Sequence, residues 1–170
     1  SQTLLAHILN QSPMPSRQVF KFCDSLTRDS FVEAFRLQYA NTVISYTITP
    51  SQNRPVADQA VITATALDDA CAQLYNRNGY SRGELDHYFA DGALSFSIYE
   101  AGQPLCTCMV YRNFGDVWEI AGLHTVETAR RKGYGRRVVQ AALDRLLAQG
   151  YTPRYQVEAA NTASIQLAES

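Results

Sequence analysis

Between Val117 and Gly150 the hydrophobic rhythm changes from alternation to a helical repeat within a few residues. VWEIAGLHTV reads as a strand, and Tyr134 to Gln149 reads as a helix. Tyr134, Val138, Ala142 and Leu146 recur every fourth residue, as do Val139, Leu143 and Leu147, so one apolar stripe runs along that helix. Gly150 ends it. The link between the two elements holds Gly133, Gly135 and five cations within eight positions: Arg130, Arg131, Lys132, Arg136 and Arg137. A strand that hands over to so amphipathic a helix must cover its own sheet with it, which restricts the chain to layered αβ architectures.

The flanking sequence narrows the choice. Ala60 to Thr65 is a short β-branched run, and Asp68 opens a helix that Asn78-Gly79 closes. Ser81 and Glu84 form a capping box for a second short helix ending at Asp91-Gly92. Ala93 to Glu100, Leu105 to Arg112 and Val117 to Val126 are three alternating stretches joined by tight turns, hence an antiparallel meander. Gly122 interrupts the third and suggests a bulge or a close backbone approach. After the long helix come a short strand, Tyr155 to Glu158, and a helix from Thr162. The order from about residue 60 is β-α-α-β-β-β-α-β-α. The fold class expected is α+β, a mixed and mostly antiparallel sheet flanked by helices.

The polar stretch Pro50 to Pro55 is the expected seam. Before it, Ser30-Phe31-Val32-Glu33 reads as a capping box opening a helix to about Tyr39, and Thr42 to Thr49 alternates as a strand. Residues 1–57 are therefore expected as an N-terminal α+β appendage, and residues 58–170 as the main domain.

Chemistry concentrates in the glycine loop. Successive backbone N–H groups there, with the unpaired donors and partial positive charge of a helix start, make a cradle for phosphate or pyrophosphate. Arginines at a helix N-terminus oppose the macrodipole unless an anion occupies the site. The lysine-bearing P-loop pattern is absent. A dinucleotide fingerprint would need glycine where Val138 stands, and its parallel sheet conflicts with the antiparallel meander. A grip on nucleic acid is equally unsupported: the formal net charge is −1, and no basic residues outside the cluster form a coherent face.

Arg130-Arg131-Lys132-Gly133-Tyr134-Gly135 resembles the [QR]-x-x-G-x-[GA] signature of the GNAT superfamily, the acetyl-CoA-dependent N-acetyltransferases. Glu119 stands fourteen residues before Gly133, the family's spacing for this strand–loop–helix unit. Asn161-x-x-Ser164-x-x-Leu167 is similar to the family's later helix. The likeness covers roughly the last two-thirds of the chain and implies the GNAT-like fold. It implies transfer of an acetyl group from acetyl-CoA to a primary amine by direct attack on the thioester.

It also implies roles. Backbone groups of Arg130, Arg131, Lys132, Gly133, Tyr134, Gly135 and Arg136 would hold the coenzyme A pyrophosphate. Leu123, His124 and Thr125 would pair with the pantetheine arm, and Asn161 would meet it from the other side. Glu119 occupies the place of the general base, with His124 in reserve; strict alternation sets His124 on the opposite face. Tyr75, Asn76, Arg77, Tyr80, Tyr88 and Phe89 fall where the family lines its acceptor pocket. The acceptor expected is a small-molecule or peptide amine, and the resemblance leaves room for a homodimer.

Two departures stand out. Where family members often carry a proton-donating tyrosine, this chain has Ala168, which suggests as the alternative a non-catalytic acyl-CoA-binding module. The sequence also stops at Ser170, inside the helix that begins near Thr162, where the family usually continues through a closing β-hairpin; further sequence is the favoured source, the N-terminal segment the other.

Cysteine usage and hydropathy complete the expectation. Cys23, Cys71, Cys106 and Cys108 show no paired spacing and read as isolated thiols, which suits a reducing cytoplasm. The three histidines form no ligand cluster, so no metal is expected. No apolar run approaches the ~20 residues of a membrane span, and the first residues lack the basic start of a signal peptide.

Overall fold

The computed structural model of the protein describes residues 21–34, 41–48 and 58–170. It divides into two units, the first ending at Asn41 and the second running from Thr42 to Ser170. In the first unit a helix, α1 (Ser25–Ala34), starts one and a half turns before the expected capping box. Asp24 accepts a hydrogen bond from the Thr27 amide at 2.7 Å and supplies the cap earlier. Ser30 therefore lies inside the helix, and the expected end near Tyr39 falls outside the described residues.

The second unit is built on a six-stranded sheet. Its strands are β1 (Val43–Thr47), β2 (Ile62–Ala64), β3 (Leu94–Glu100), β4 (Gln103–Phe114), β5 (Val117–Thr125) and β6 (Thr152–Glu158), in the spatial order β1-β6-β5-β4-β3-β2. Only β5 and β6 run parallel. The helices are α2 (Asp69–Arg77), α3 (Arg82–Ala90), α4 (Tyr134–Ala148) and α5 (Thr162–Ala168).

Local signals set these boundaries. Asp68 accepts from the Cys71 amide at 2.8 Å to start α2. Ser81 and Glu84 bond each other's backbone in both directions to start α3. Strand β6 begins three residues earlier than its sequence pattern suggests, because Pro153 needs no donor there. The Pro153 carbonyl instead accepts from the Thr47 hydroxyl at 2.8 Å. The strand expected in the appendage is thus an edge strand of the sheet, antiparallel to β6 from Val43↔Glu158 to Thr47↔Arg154.

Alternation sorts the core onto two faces. Phe96, Cys106, Cys108, Val110 and Ile120 pack against Val138, Ala142 and Leu146 of α4. On the other face Met109 packs against Cys71, Ala72 and Tyr75 of α2 and Leu85 of α3. Cys71, Cys106 and Cys108 are free and buried, while Cys23 is free and exposed.

The β4–β5 ladder slips twice, once between Arg112 and Phe114 beside the turn and once between Thr107 and Met109. Thr107 pairs with His124 and Met109 with Ala121, so β5 holds one extra residue at Gly122-Leu123. Gly122 has φ +63°. A Cβ built on it would come within 2.9 Å of the Tyr75 ring. Tyr75 itself is fixed: its hydroxyl donates to the Cys108 carbonyl at 3.0 Å and meets the Thr107 hydroxyl at 2.7 Å. Gly122→Ala combines left-handed backbone strain with overpacking, and should destabilise the protein by roughly 2–4 kcal/mol in urea unfolding. A loss under about 0.5 kcal/mol, the scale of an unremarkable surface change, would show that neither constraint operates.

Candidate active site

The parallel ladder of β5 and β6 runs from Val117↔Thr152 to Ile120↔Tyr155 and ends there. Both strands continue, β5 to Thr125 and β6 to Glu158, without pairing to each other. The bulge at Gly122 follows directly on the last rung. The result is an opening between two strands of one sheet, with Leu123 on one side.

The glycine loop leads from β5 toward that opening. A single 3₁₀ turn, Glu127–Ala129, is followed by Arg130 and then by Arg131 at φ +61°, an unusual conformation for a residue with a side chain. Gly133 at φ +80° is the N-cap of α4, and no side chain caps that helix. The first-turn amides thus have no side-chain acceptor. Left-handed residues two apart, next to an uncapped helix start, present N–H groups to one spot and favour an anion there. Gly135 lies in the first turn. A Cβ on it would make ordinary contact, at 3.8–3.9 Å, with Leu123 of β5 and Leu167 of α5. Its missing side chain therefore leaves space between those two leucines.

The five cations are not equivalent. Arg137 grips Asp58 through two nitrogens, at 2.5 and 3.1 Å, and holds its carboxyl below the usual carboxylate range. It also sits 5.6 Å from the centre of the Tyr134 ring. Arg130 donates to the Thr125 carbonyl at 3.3 Å, and Arg136 to the Ser170 carbonyl at 2.9 Å. Among the described residues, no hydrogen bond or ion pair holds the side chains of Arg131 and Lys132.

Glu119 sits one rung before the strands part and is 4% exposed. Its Oε2 accepts from Arg154 Nε at 2.8 Å and from Asn113 Nδ2 at 3.1 Å, and Arg154 Nη2 lies 2.7 Å away as an ion-pair contact. Tyr111 is its partner on β4. Tyr111 stacks on Tyr88, with ring centres 4.2 Å apart, and Tyr80 meets Tyr88 edge-on at 6.4 Å. Burial first, then the neighbouring phenol of Tyr88 and the charge of Glu119, push the Tyr80 hydroxyl up to about 12. The same forces raise Tyr111. Three phenols thus wall the carboxylate on the α2–α3 side.

The bulge corrects the placement of His124. Each residue of β5 shares a face with its partner on β4, and Thr107, Met109 and Tyr111 all point to the α2–α3 side. His124 and Glu119 therefore lie on one face, not two, because the extra residue resets the alternation. They are still four β4 positions apart, roughly 13 Å at the strand rise, too far to share a proton. His124 Nδ1 contacts Asn78 Oδ1 at 3.2 Å, and Asn78 Nδ2 donates to the Leu123 carbonyl at 3.0 Å. Desolvation, then Arg77 and Arg130, lower the His124 pKa. The Leu123 and Thr125 carbonyls, expected free, are thus each engaged by a side chain. Asn161 caps α5, accepting from the Ser164 amide at 3.1 Å.

Sequence reasoning missed Asn78, Asn113 and Arg154. Asn78 reads only as a helix stop, and Asn113 only as a turn residue. Arg154 meets Glu119 through a parallel register that no local pattern encodes.

Comparison with known proteins agrees with this geometry. The acetyltransferase (GNAT) family pattern matches residues 63–170. No curated protein matches the sequence. A GNAT-family protein of Novosphingobium aromaticivorans superposes with TM-score 0.61 at 15% identity, over 75% of this chain and 56% of the other. This chain therefore spans little more than half of that protein. An IAA acetyltransferase from Bacillus cereus superposes with TM-score 0.52 at 13% identity, over 75% and 74%. The ribosomal-protein-S18-alanine N-acetyltransferase from Escherichia coli gives TM-score 0.54 at 18% identity, over 64% and 74%. At these identities the likenesses speak for the fold, while the family pattern covers more than half of the sequence: the chain belongs to the GNAT acetyltransferase family.

Proposed function

We propose that the protein transfers an acetyl group from acetyl-CoA to a primary amine. The observation that carries this reading is the parting of β5 from β6 after Ile120↔Tyr155, opposite the uncapped start of α4. A long thin substrate with a polyanionic end fits both parts. Amides from Arg130 to Arg136, with the Arg131 and Lys132 side chains, receive the pyrophosphate. The edge of β5 at Leu123–Thr125 receives the pantetheine arm once Asn78 and Arg130 release its carbonyls. Asn161 faces the arm from α5.

On the acceptor side, an alkyl ammonium near pKa ~10.4 must lose a proton before its nitrogen can attack. Glu119 accepts that proton, directly or through water. Tyr80, Tyr88 and Tyr111 present π faces and hydroxyls to the incoming amine, and π faces attract ammonium groups. The C–N bond forms as the C–S bond breaks, and the sulfur leaves with its electron pair. A free thiol titrates near ~8.5, so water suffices as proton donor where Ala168 offers none. Free buried thiols support a reducing compartment, the cytoplasm, for this reaction.

Glu119→Gln should reduce turnover at neutral pH by about a hundredfold or more while acetyl-CoA affinity stays unchanged. Undiminished turnover would remove Glu119 from the base role. Gly135→Val fills the space between Leu123 and Leu167. It should leave circular dichroism intact and eliminate the calorimetric signal of acetyl-CoA binding. Normal binding by that variant would place the coenzyme elsewhere. Ala168 keeps one rival in view, a protein that binds acyl-CoA without turning it over. Binding of acetyl-CoA with no thiol release across a panel of primary amines would establish the rival.

A further inference from the structure

The buried carboxylate of Glu119 is held lopsidedly. Every hydrogen bond it accepts from the described residues ends on Oε2, and none reaches Oε1. Arg154 donates from Nε and brings Nη2 to 2.7 Å of the same oxygen, so the guanidinium lies side-on to a single oxygen rather than spanning both. A fork that spans both oxygens is the common arrangement for such a pair, and it leaves neither oxygen for other work.

The position of Arg154 is equally specific. Glu119↔Arg154 is the last rung but one of the parallel ladder, immediately before the strands part. The pair is well buried, with side chains 6% and 22% exposed. Phe114 backs the guanidinium, its ring centre 5.7 Å from Arg154 Cζ. The titratable groups around Glu119 are Tyr111 from β4, Tyr80 from the turn between α2 and α3, Tyr88 behind them on α3, and Arg154 from β6. Of these only Arg154 carries a positive charge. Burying a carboxylate is costly unless a partner of opposite sign and hydrogen bonds accompany it.

We propose that Arg154 is the positioning residue of the transfer reaction. It pins Oε2 and presents Oε1 as the one atom that takes the proton of the amine. The proposal rests on the acetyltransferase reading above. The alkyl ammonium first gives one proton to Oε1, which returns it to solvent. As the neutral nitrogen then bonds to the thioester carbon, the C–S bond breaks with its electron pair on sulfur. The nitrogen loses its second proton to solvent, and the thiolate takes one from solvent.

The test is a turnover cycle with acetyl-CoA and the best amine from a panel of primary amines. It compares the wild type with Arg154→Met, Arg154→Lys, Glu119→Gln and the double variant Glu119→Gln/Arg154→Met. Arg154→Met should lower kcat about ten- to a hundredfold with both KM values unchanged, the scale of a misplaced catalytic group. Arg154→Lys keeps the charge but not the two-nitrogen grip, and should fall between. On the Glu119→Gln background the Met substitution should cause no further loss, because the atom it positions is gone. Equal losses on both backgrounds, or an effect on KM alone, would overturn the proposal and leave the acetyltransferase reading standing. Absence of transfer by the wild type would overturn both. If Arg154→Met does not fold, Arg154→Lys on the two backgrounds decides by the same criterion.

Discussion

The contact between the Tyr75 ring and Gly122 organises this molecule. It demands a residue without a side chain at one point of β5, and the backbone there turns through a conformation that other residues resist. The extra residue stored at that point divides β5 into two lengths. The first is hydrogen-bonded on both sides and carries Glu119. The second is paired with β4 alone and leaves its other edge for something else. Tyr75 in turn is anchored through its hydroxyl to β4, so the wedge cannot retreat. A central strand with an open edge would normally invite misfolding or aggregation. Here the α4 loop, with its crowd of arginines, faces the gap.

Charge is distributed with the same division of labour. One ion pair, Glu119 with Arg154, is taken out of water and given a further donor and an aromatic backing. Such burial is rarely a source of stability, which argues for a chemical reason to keep it. The cations around the glycine loop remain largely in solvent. One of them, Arg137, is withdrawn by Asp58, so the apparent excess at the loop is smaller than the sequence suggests. The rest stand beside a helix start that already favours negative charge.

Much of this architecture was legible before any coordinates. The meander, the capping box at Ser81, the apolar stripe of α4 and the bulge at Gly122 all follow from local periodicity and turn chemistry. The signature around Gly133 pointed to the family. What escaped was non-local. The N-terminal strand looked like part of an appendage because nothing in VISYT says that its partner lies beyond residue 150. The ion pair of Glu119 depends on a parallel register fixed by the length of α4 and its loops. His124 was put on the wrong face by an argument that was sound for an unbroken strand. The same bulge, correctly anticipated, was not carried through to the residues after it. Of the aromatic residues beside Glu119, Tyr80 and Tyr88 fall in the turn and helix read from the sequence, whereas Tyr111 sits on a strand and carries no such signal.

The outermost strand has one more consequence, for the order of assembly. The side chains of Ser45 and Gln156, hydrogen-bonded across β1 and β6 at 2.8 Å, are 111 positions apart along the chain. Strands β3, β4 and β5 meet through turns of two residues, so their pairing forms at small entropic loss. β1 has no partner until α4 has docked and delivered β6. Construction therefore proceeds outward from the meander. The strand met first in the sequence is among the last to be laid down in space.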